Sequence, residues 1–455
     1  MISPFSIRNV RLFIWFRVFF NARFYYPVFT ILFLDFGLTL EQFALLNVAW
    51  AVTIVLLEVP SGALADTLGR RNLLVFTGIL MVMEMALLCF VPRGNASILF
   101  GVFLLNRILS GAAEAAASGA DEALAYDSLQ EEGCEKKWGR VLEKQMRMQA
   151  AAFLIAMSLG AAVYDPVLMQ RIVDFFGLDF TVSRELTLRL PVFLTLGMAI
   201  LTLLTALLMH EVLPAPSGRP LNIAIGSGKR VLQAFKLTLE AGKWILKTPF
   251  ALVIILIGVV FDSCLRMAAT LTSEYYRLIH LPEASFGLIG SAIAVMGLFV
   301  PHLALVLVEK RTPLFNLIVM TVPALIGLTG MALFLPTLVG VIPIVLIAST
   351  MYLLRFFQSH YLNRIATSAQ RATVLSFKGL SMNLTYGIVG VLYSLLVGRL
   401  RSTIAVTGAT PEKIEEAVFT AAMGWFPWAF AAALAVVMVY VVWMFRRAAA
   451  SEQPS

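Results

Sequence analysis

The chain has 455 residues, 60% of them hydrophobic and only 14% charged. Soluble globular domains are about half apolar and a quarter charged, so this composition excludes a soluble domain and requires much of the apolar surface to face lipid. The formal net charge of +8 comes from basic residues scattered among short connections rather than gathered in a patch. That pattern fits the loop bias of a membrane protein better than a nucleic-acid partner.

A span of the hydrocarbon core takes about 20 apolar residues. The first 20 residues, MISPFSIRNVRLFIWFRVFF, carry an early positive charge but no small-residue cleavage site, and read as the lead-in to a first membrane helix rather than a signal peptide. Predicted spans follow at about 10–35, 42–63, 72–92, 97–123, 143–164 and 189–210. A second set falls at about 249–276, 285–308, 314–335, 339–361, 374–398 and 417–445. Residues 1–210 thus form one six-helix bundle, 211–248 a linker and 249–455 a second bundle.

Taking the N-terminus as cytoplasmic, the inner connections hold Arg70, Arg71, Lys136, Lys137, Arg140 and Lys144, then the lysines of the linker, Lys310, Arg311, Arg364, Arg371, Arg446 and Arg447. The outer connections hold far fewer, and this bias places both termini inside. The linker opens with the Pro/Gly-rich EVLPAPSGRP and continues as VLQAFKLTLEAGKWILK, where Val231, Leu232, Phe235 and Leu239 recur near helical period opposite lysines. It reads as an amphipathic helix on the membrane surface or as a solvated linker helix. Two outer segments, beginning at Asp165 and Arg401, are long enough for a short surface helix but not for a separate domain. The three cysteines, Cys89, Cys134 and Cys264, are unevenly placed, with neither metal-ligand spacing nor the pattern of a disulfide framework.

The connection after the second span, EVPSGALADTLGRR, closely resembles the loop signature of the major facilitator superfamily, carried here by Gly62, Asp66, Gly69, Arg70 and Arg71. Physically, Gly62 lets two helices approach, and Asp66 can accept from a helix N-terminus and pair with Arg70. The resemblance implies an all-α integral membrane fold of twelve helices in two pseudo-two-fold-related bundles, with this cluster as a conformational latch. In NRILSGAAEAA, Arg107 and Gly111 resemble the family's second signature, with Ala113 where the family has glycine. That resemblance makes Arg107 a candidate for proton coupling or solute contact, against a snorkelling or structurally paired arginine. SGADEALAYDSL looks like a stretch of the superfamily's bacterial permeases, and brings Asp121 or Asp127 towards Arg70 and Arg71 as latch partners or as a solvated helix end. Two departures stand out: the fifth span, FLIAMSLGAAVYDP, lacks the Gly-Pro pair of drug antiporters, and VEKRTP in the second half is a degenerate copy of the loop signature.

Ionisable residues at membrane depth usually line a cavity or pair with each other. The candidates for solute binding and proton coupling are Arg17, Asn21 and Arg23 in the first span, Arg107 and Glu114 in the fourth, Asp262 and Arg266 in the seventh and Arg355 in the tenth. Glu114 partnered by Arg107, and Asp262 by Arg266, are the expected titrating groups; a purely structural Asp262–Arg266 pair is the alternative. Glu58, Glu84 and Lys378 are further charges in apolar runs.

No phosphate-binding loop, HExxH or GxSxG motif is present, and the four histidines are dispersed. The expectation is therefore a transporter and not an enzyme: a proton-coupled secondary exporter of a drug-like or amphipathic solute, acting as a monomer in the cytoplasmic (inner) membrane without cofactor or metal. Uptake or export of a specific metabolite, siderophore or lipid is the rival within transport, and a non-transporting receptor or scaffold the rival outside it.

Overall fold

The computed structural model describes residues 3–212, 232, 236, 239–240, 242–365, 368–404 and 410–451, and they are helical throughout apart from turns and short connections. Packing divides the chain into two compact units: Met1–Phe235 with Pro282–Ala294, and Lys236–Leu281 with Val295–Ser455.

The first unit contains α1 (Arg8–Asn21), α2 (Phe29–Phe36), α3 (Leu40–Leu68), α4 (Arg70–Cys89), α5 (Ala96–Ala117), α6 (Ala120–Glu131), α7 (Trp138–Tyr164), α8 (Pro166–Phe175) and α9 (Arg184–Leu208). Helix α4 packs on both α5 and α9, α3 on α5, and α1 on α9 and α7. Their starts are legible chemistry. Thr39 and Gln42 form a reciprocal capping box at α3, while Asn95, Asp165 and Ser183 accept first-turn N–H groups of α5, α8 and α9. The predicted outer helix after Asp165 is α8.

The second unit contains α10 (Pro249–Thr270), α11 (Thr272–Leu278), α13 (Pro313–Ala332), α14 (Val341–Ile365), α15 (Ser368–Ile404) and α16 (Pro411–Ser451), together with the later part of α12 (Glu283–Lys310). Helix α10 packs on α14, α15 and α16, and α13 on α14 and α16. Among the described residues, the outer segment after Arg401 forms no helix of its own; α15 runs on to Ile404 and α16 begins at Pro411. Most of the predicted amphipathic linker helix lies outside the described residues; 242–247 is helical, with Ile245 buried and Lys243, Leu246 and Lys247 exposed.

Among the described residues, 11 helical spans are long and apolar enough to cross a membrane. The first predicted span, read as one helix over about 10–35, is absent from that set because it is broken: α1 has 14 residues and α2 has 8. End to end they supply the twelfth span. Pro27 explains the break, since it donates no hydrogen bond and disfavours helix at the residue before it. Asn21 assists by turning its side-chain amide back to the Arg17 carbonyl, 2.8 Å away.

Unwound backbone at membrane depth survives only when its polar groups find partners within the protein. Here the Phe24 N–H donates to Thr195 Oγ1 on α9 at 3.1 Å, and local turns take the N–H groups of Arg23, Tyr26 and Val28. Gly160 on α7 makes room for the displaced chain, because a Cβ at that position would overlap the Phe24 carbonyl group. Gly111 on α5 similarly admits the Trp50 carbonyl oxygen of α3, 2.9 Å from where a Cβ would stand.

Candidate functional site

The break in the first span is the centre of a charge cluster. Arg23 projects from it and forms an ion pair with Glu84 of α4, the two side chains being 3% and 0% exposed. The Arg23 guanidinium also donates to the Tyr25 hydroxyl at 3.4 Å and lies 5.4 Å from the Phe20 ring centre. Asn106 of α5 fixes α4 at this level by donating to the Glu84 backbone carbonyl at 2.8 Å.

Arg107 is buried beside the break. It donates to Asn47 Oδ1 of α3 at 3.2 Å, and its guanidinium stands 5.4 Å from the ring centres of Phe29 and Trp50. Glu114, seven residues further along α5, is exposed. The charges acting on it are Arg23, then Arg17 and Glu84. Arg23 and Arg17 are the cations in its surroundings, and Arg107, the partner expected from the sequence, donates to Asn47. The missed member is Glu84. It is the only Asp, Glu, Lys or Arg between Arg71 and Arg93, and a lone carboxylate in so long an apolar run calls for a cation from another helix.

Arg17 and Asn21 have other neighbours. Arg17 forms ion pairs with Asp121 and Glu122 of α6, each at 2.6 Å, and Asn21 holds the Arg17 carbonyl. Of the two alternatives expected near Arg70 and Arg71, Asp121 or Asp127, Asp121 is held by Arg17.

The loop-signature residues form a second cluster. Gly69 separates α3 from α4, and Arg70 forms an ion pair with Asp127 of α6. Arg71 donates to the carbonyls of Met209 at 2.8 Å and Leu207 at 3.0 Å, closing the C-terminal end of α9. The two oxygens of Glu211 accept the Arg70 and Arg71 N–H groups, both at 2.9 Å. Glu211 thus caps the start of α4. The side chains of Gly62 and Asp66 lie outside the described residues. Replacing Glu211 with Ala leaves two first-turn N–H groups of α4 to solvent and removes a negative charge from that helix terminus. The expected cost is about 1 kcal/mol, read as a small fall in thermal midpoint of the purified protein with little change in helix content.

A third cluster sits at the other end of the first unit. Arg184 binds both oxygens of Glu283, at 2.7 and 2.9 Å, pairs with Asp35, and stacks 4.3 Å from the Tyr164 ring centre. The Tyr164 hydroxyl donates to Asp35 at 2.6 Å, and Asp165 accepts the Ala284 N–H at 3.1 Å. These contacts seat the first turn of α12 on α7 and α9. Only tertiary structure brings these residues together, since 99 positions separate Arg184 from Glu283.

In the second unit Asp262 and Arg266 form the expected ion pair within α10. Arg266 reaches further, donating to Asn383 Oδ1 of α15 at 2.9 Å and lying 4.9 Å from the Tyr386 ring centre. Arg355 is exposed, and both it and Asp262 act electrostatically on Lys378. Among the described residues no group of three or more His, Cys, Asp or Glu side chains could hold a metal ion.

These two sets of intramembrane charges stand on a recognisable scaffold. A family model described as Major Facilitator Superfamily matches residues 12–388. No curated protein sequence matches the chain. Among solved structures, a bacterial homolog to the human lysosomal transporter Spinster, in an inward-facing and occupied conformation, aligns with TM-score 0.67 and 15% identity over 98% of this chain and 97% of its own. The nucleoside transporter NupG aligns with TM-score 0.61 and 13% identity, covering 95% of this chain and 99% of that one. A D-xylose-proton symporter gives TM-score 0.59 and 14% identity, covering 94% and 96% respectively.

Proposed function

The chain belongs to the major facilitator superfamily, and on that premise we propose that it is a proton-coupled secondary transporter exporting an amphipathic organic solute. It is a multi-pass membrane transporter rather than an enzyme. The finer reading places it in the cytoplasmic membrane with both termini inside, following the lysine and arginine bias of its connections.

One observation carries this reading: an exposed carboxylate, Glu114, shares the field of Arg23 with the buried Glu84, beside a second arginine backed by Phe29 and Trp50. With Glu114 ionised, two carboxylates compete for Arg23. When Glu114 takes a proton, Arg23 belongs to Glu84 alone, and the field at the break changes. Solute binding becomes coupled to proton movement if the two protonation states favour different conformations. Phe29 and Trp50 offer apolar faces to the body of a solute, and Arg107 offers a fixed cation to its polar end. An amphipathic solute already partitions into a bilayer, so a driven carrier achieves more by expelling it than by admitting it.

The test follows accumulation of labelled cationic, anionic and neutral amphiphiles in a pump-deficient bacterium expressing wild type, Glu114→Gln or Arg107→Ala, with and without a protonophore. Wild type is expected to lower accumulation of one charge class, and the protonophore and Glu114→Gln each to abolish the difference. Unchanged accumulation across the panel would sink the export reading. The basic surplus of Arg266, Arg355 and Lys378 around Asp262 supports a second reading, movement of a small anionic metabolite; raised accumulation of anions alone would select it.

A further inference from the structure

Within the second unit, α10, α13, α14 and α16 line a half-open cavity of about 240 Å³, larger than the cavity of about 150 Å³ that accepts benzene in an engineered protein. Its wall is apolar, with Phe250, Ile254, Met320 and Phe357 among the contributing side chains, except where Asn316, Gln358 and Tyr361 enter it. The α10 and α13 residues belong to the first three turns of those helices, so the cavity lies towards the end of the unit where both begin.

The polar wall is incompletely satisfied. Asn316 is 0% exposed. Its Nδ2 donates to the Tyr361 hydroxyl at 2.8 Å and to the Leu307 carbonyl at 3.3 Å, and the carbonyl fixes which way the amide faces. Asn316 Oδ1 has no hydrogen-bond partner among the described residues. A buried acceptor left unpaired is costly and rare, which points to a donor supplied from outside the chain. A single water, with a share of about 30 Å³, fills only a fraction of this space and finds few polar partners in it.

We propose that this cavity is a binding site for an uncharged amphiphile: a compact apolar body carrying one hydroxyl that donates to Asn316 Oδ1. The body displaces no charged group and packs on Phe250, Met320 and Phe357. The site lies wholly within the second unit, apart from the cluster at the break in the first span, so its occupancy is independent of the transport reading.

The test uses the full-length protein in lipid nanodiscs, with 1-naphthol as probe and 1-methoxynaphthalene, which has the same body but no donor, as control. Wild type is expected to bind 1-naphthol about tenfold more tightly than the methyl ether. Asn316→Leu is expected to bring the two affinities together while keeping apolar binding. Met320→Trp, and independently Val253→Phe, are expected to weaken both probes at least tenfold by filling the space; thermal unfolding without probe shows which variants fold. Equal affinity of wild type for both probes, or undiminished binding in the folded filling variants, overturns the proposal. A short-chain diacylglycerol that displaces 1-naphthol assigns the site to a membrane lipid, and one that does not assigns it to a free phenol-like molecule.

Discussion

Glu84→Leu is expected to destabilise the protein by about 3–5 kcal/mol, because it leaves the Arg23 guanidinium buried without its counter-ion. Arg23 is 3% exposed and its remaining contacts are the Tyr25 hydroxyl and the Phe20 ring, while Glu114 acts on it through space and offsets its charge only in part. Arg23→Met is expected to cost a similar amount by stranding Glu84, whose Oε1 is paired with Arg23 and whose Oε2 has no hydrogen-bond partner among the described residues. The informative variant carries both substitutions. Replacing a buried pair with apolar side chains of similar volume is often neutral in stability, so the double variant should recover most of the thermal midpoint lost by either single one. Thermal unfolding of the four proteins in detergent measures the coupling directly. A double variant no more stable than the worse single would show that the pair does not account for the losses. Flux through the double variant then separates roles: restored folding with no transport makes the pair part of the transport machinery, and restored folding with normal transport makes it architecture.

Gly160→Val is expected to be the most damaging substitution of a residue that carries no functional group. A Cβ there would collide with the Phe24 carbonyl oxygen and stand 2.7 Å from its carbonyl carbon and 3.0 Å from its α-carbon. Those atoms are main chain in the break and have no rotamer into which to retreat, so α7 or the break must move. Overpacking of this kind costs about 1–3 kcal/mol, and the displacement is aimed at the segment that positions Arg23. Expression, thermal midpoint and solute flux should all fall, with Gly160→Ala intermediate. Gly197 of α9 supplies the control, since a Cβ there meets nothing within 4 Å. Gly197→Ala should be neutral or stabilising by up to about 1 kcal/mol, as alanine is the better helix former. Equal losses at both positions would show that general intolerance of side chains in these helices, and not the close approach to Phe24, is responsible.

Reading the linear chain was enough to establish a helical membrane protein, because that follows from quantities local in sequence: apolar runs of spanning length, Pro/Gly-rich connections, and basic residues biased to alternate connections. The motif around Asp66, Gly69, Arg70 and Arg71 carried the family resemblance for the same reason, being contiguous. The Asp262–Arg266 pair was also legible, since four residues on a helix put both side chains on one face. The partners of Arg17, Arg23 and Arg184 were not legible. Each is chosen by which helices pack side by side, and in a span apolar on nearly every face periodicity gives little indication of the neighbour. Hence the choice between Asp121 and Asp127 was open until packing gave Asp121 to Arg17 and Asp127 to Arg70, Glu211 from beyond α9 capped α4, and Glu84 emerged as the counter-ion of Arg23. The break in the first span stands between these cases. Pro27 lies in the sequence read as one span, but whether the chain unwound there depended on Thr195 and Gly160, two residues on other helices that satisfy and accommodate the freed backbone.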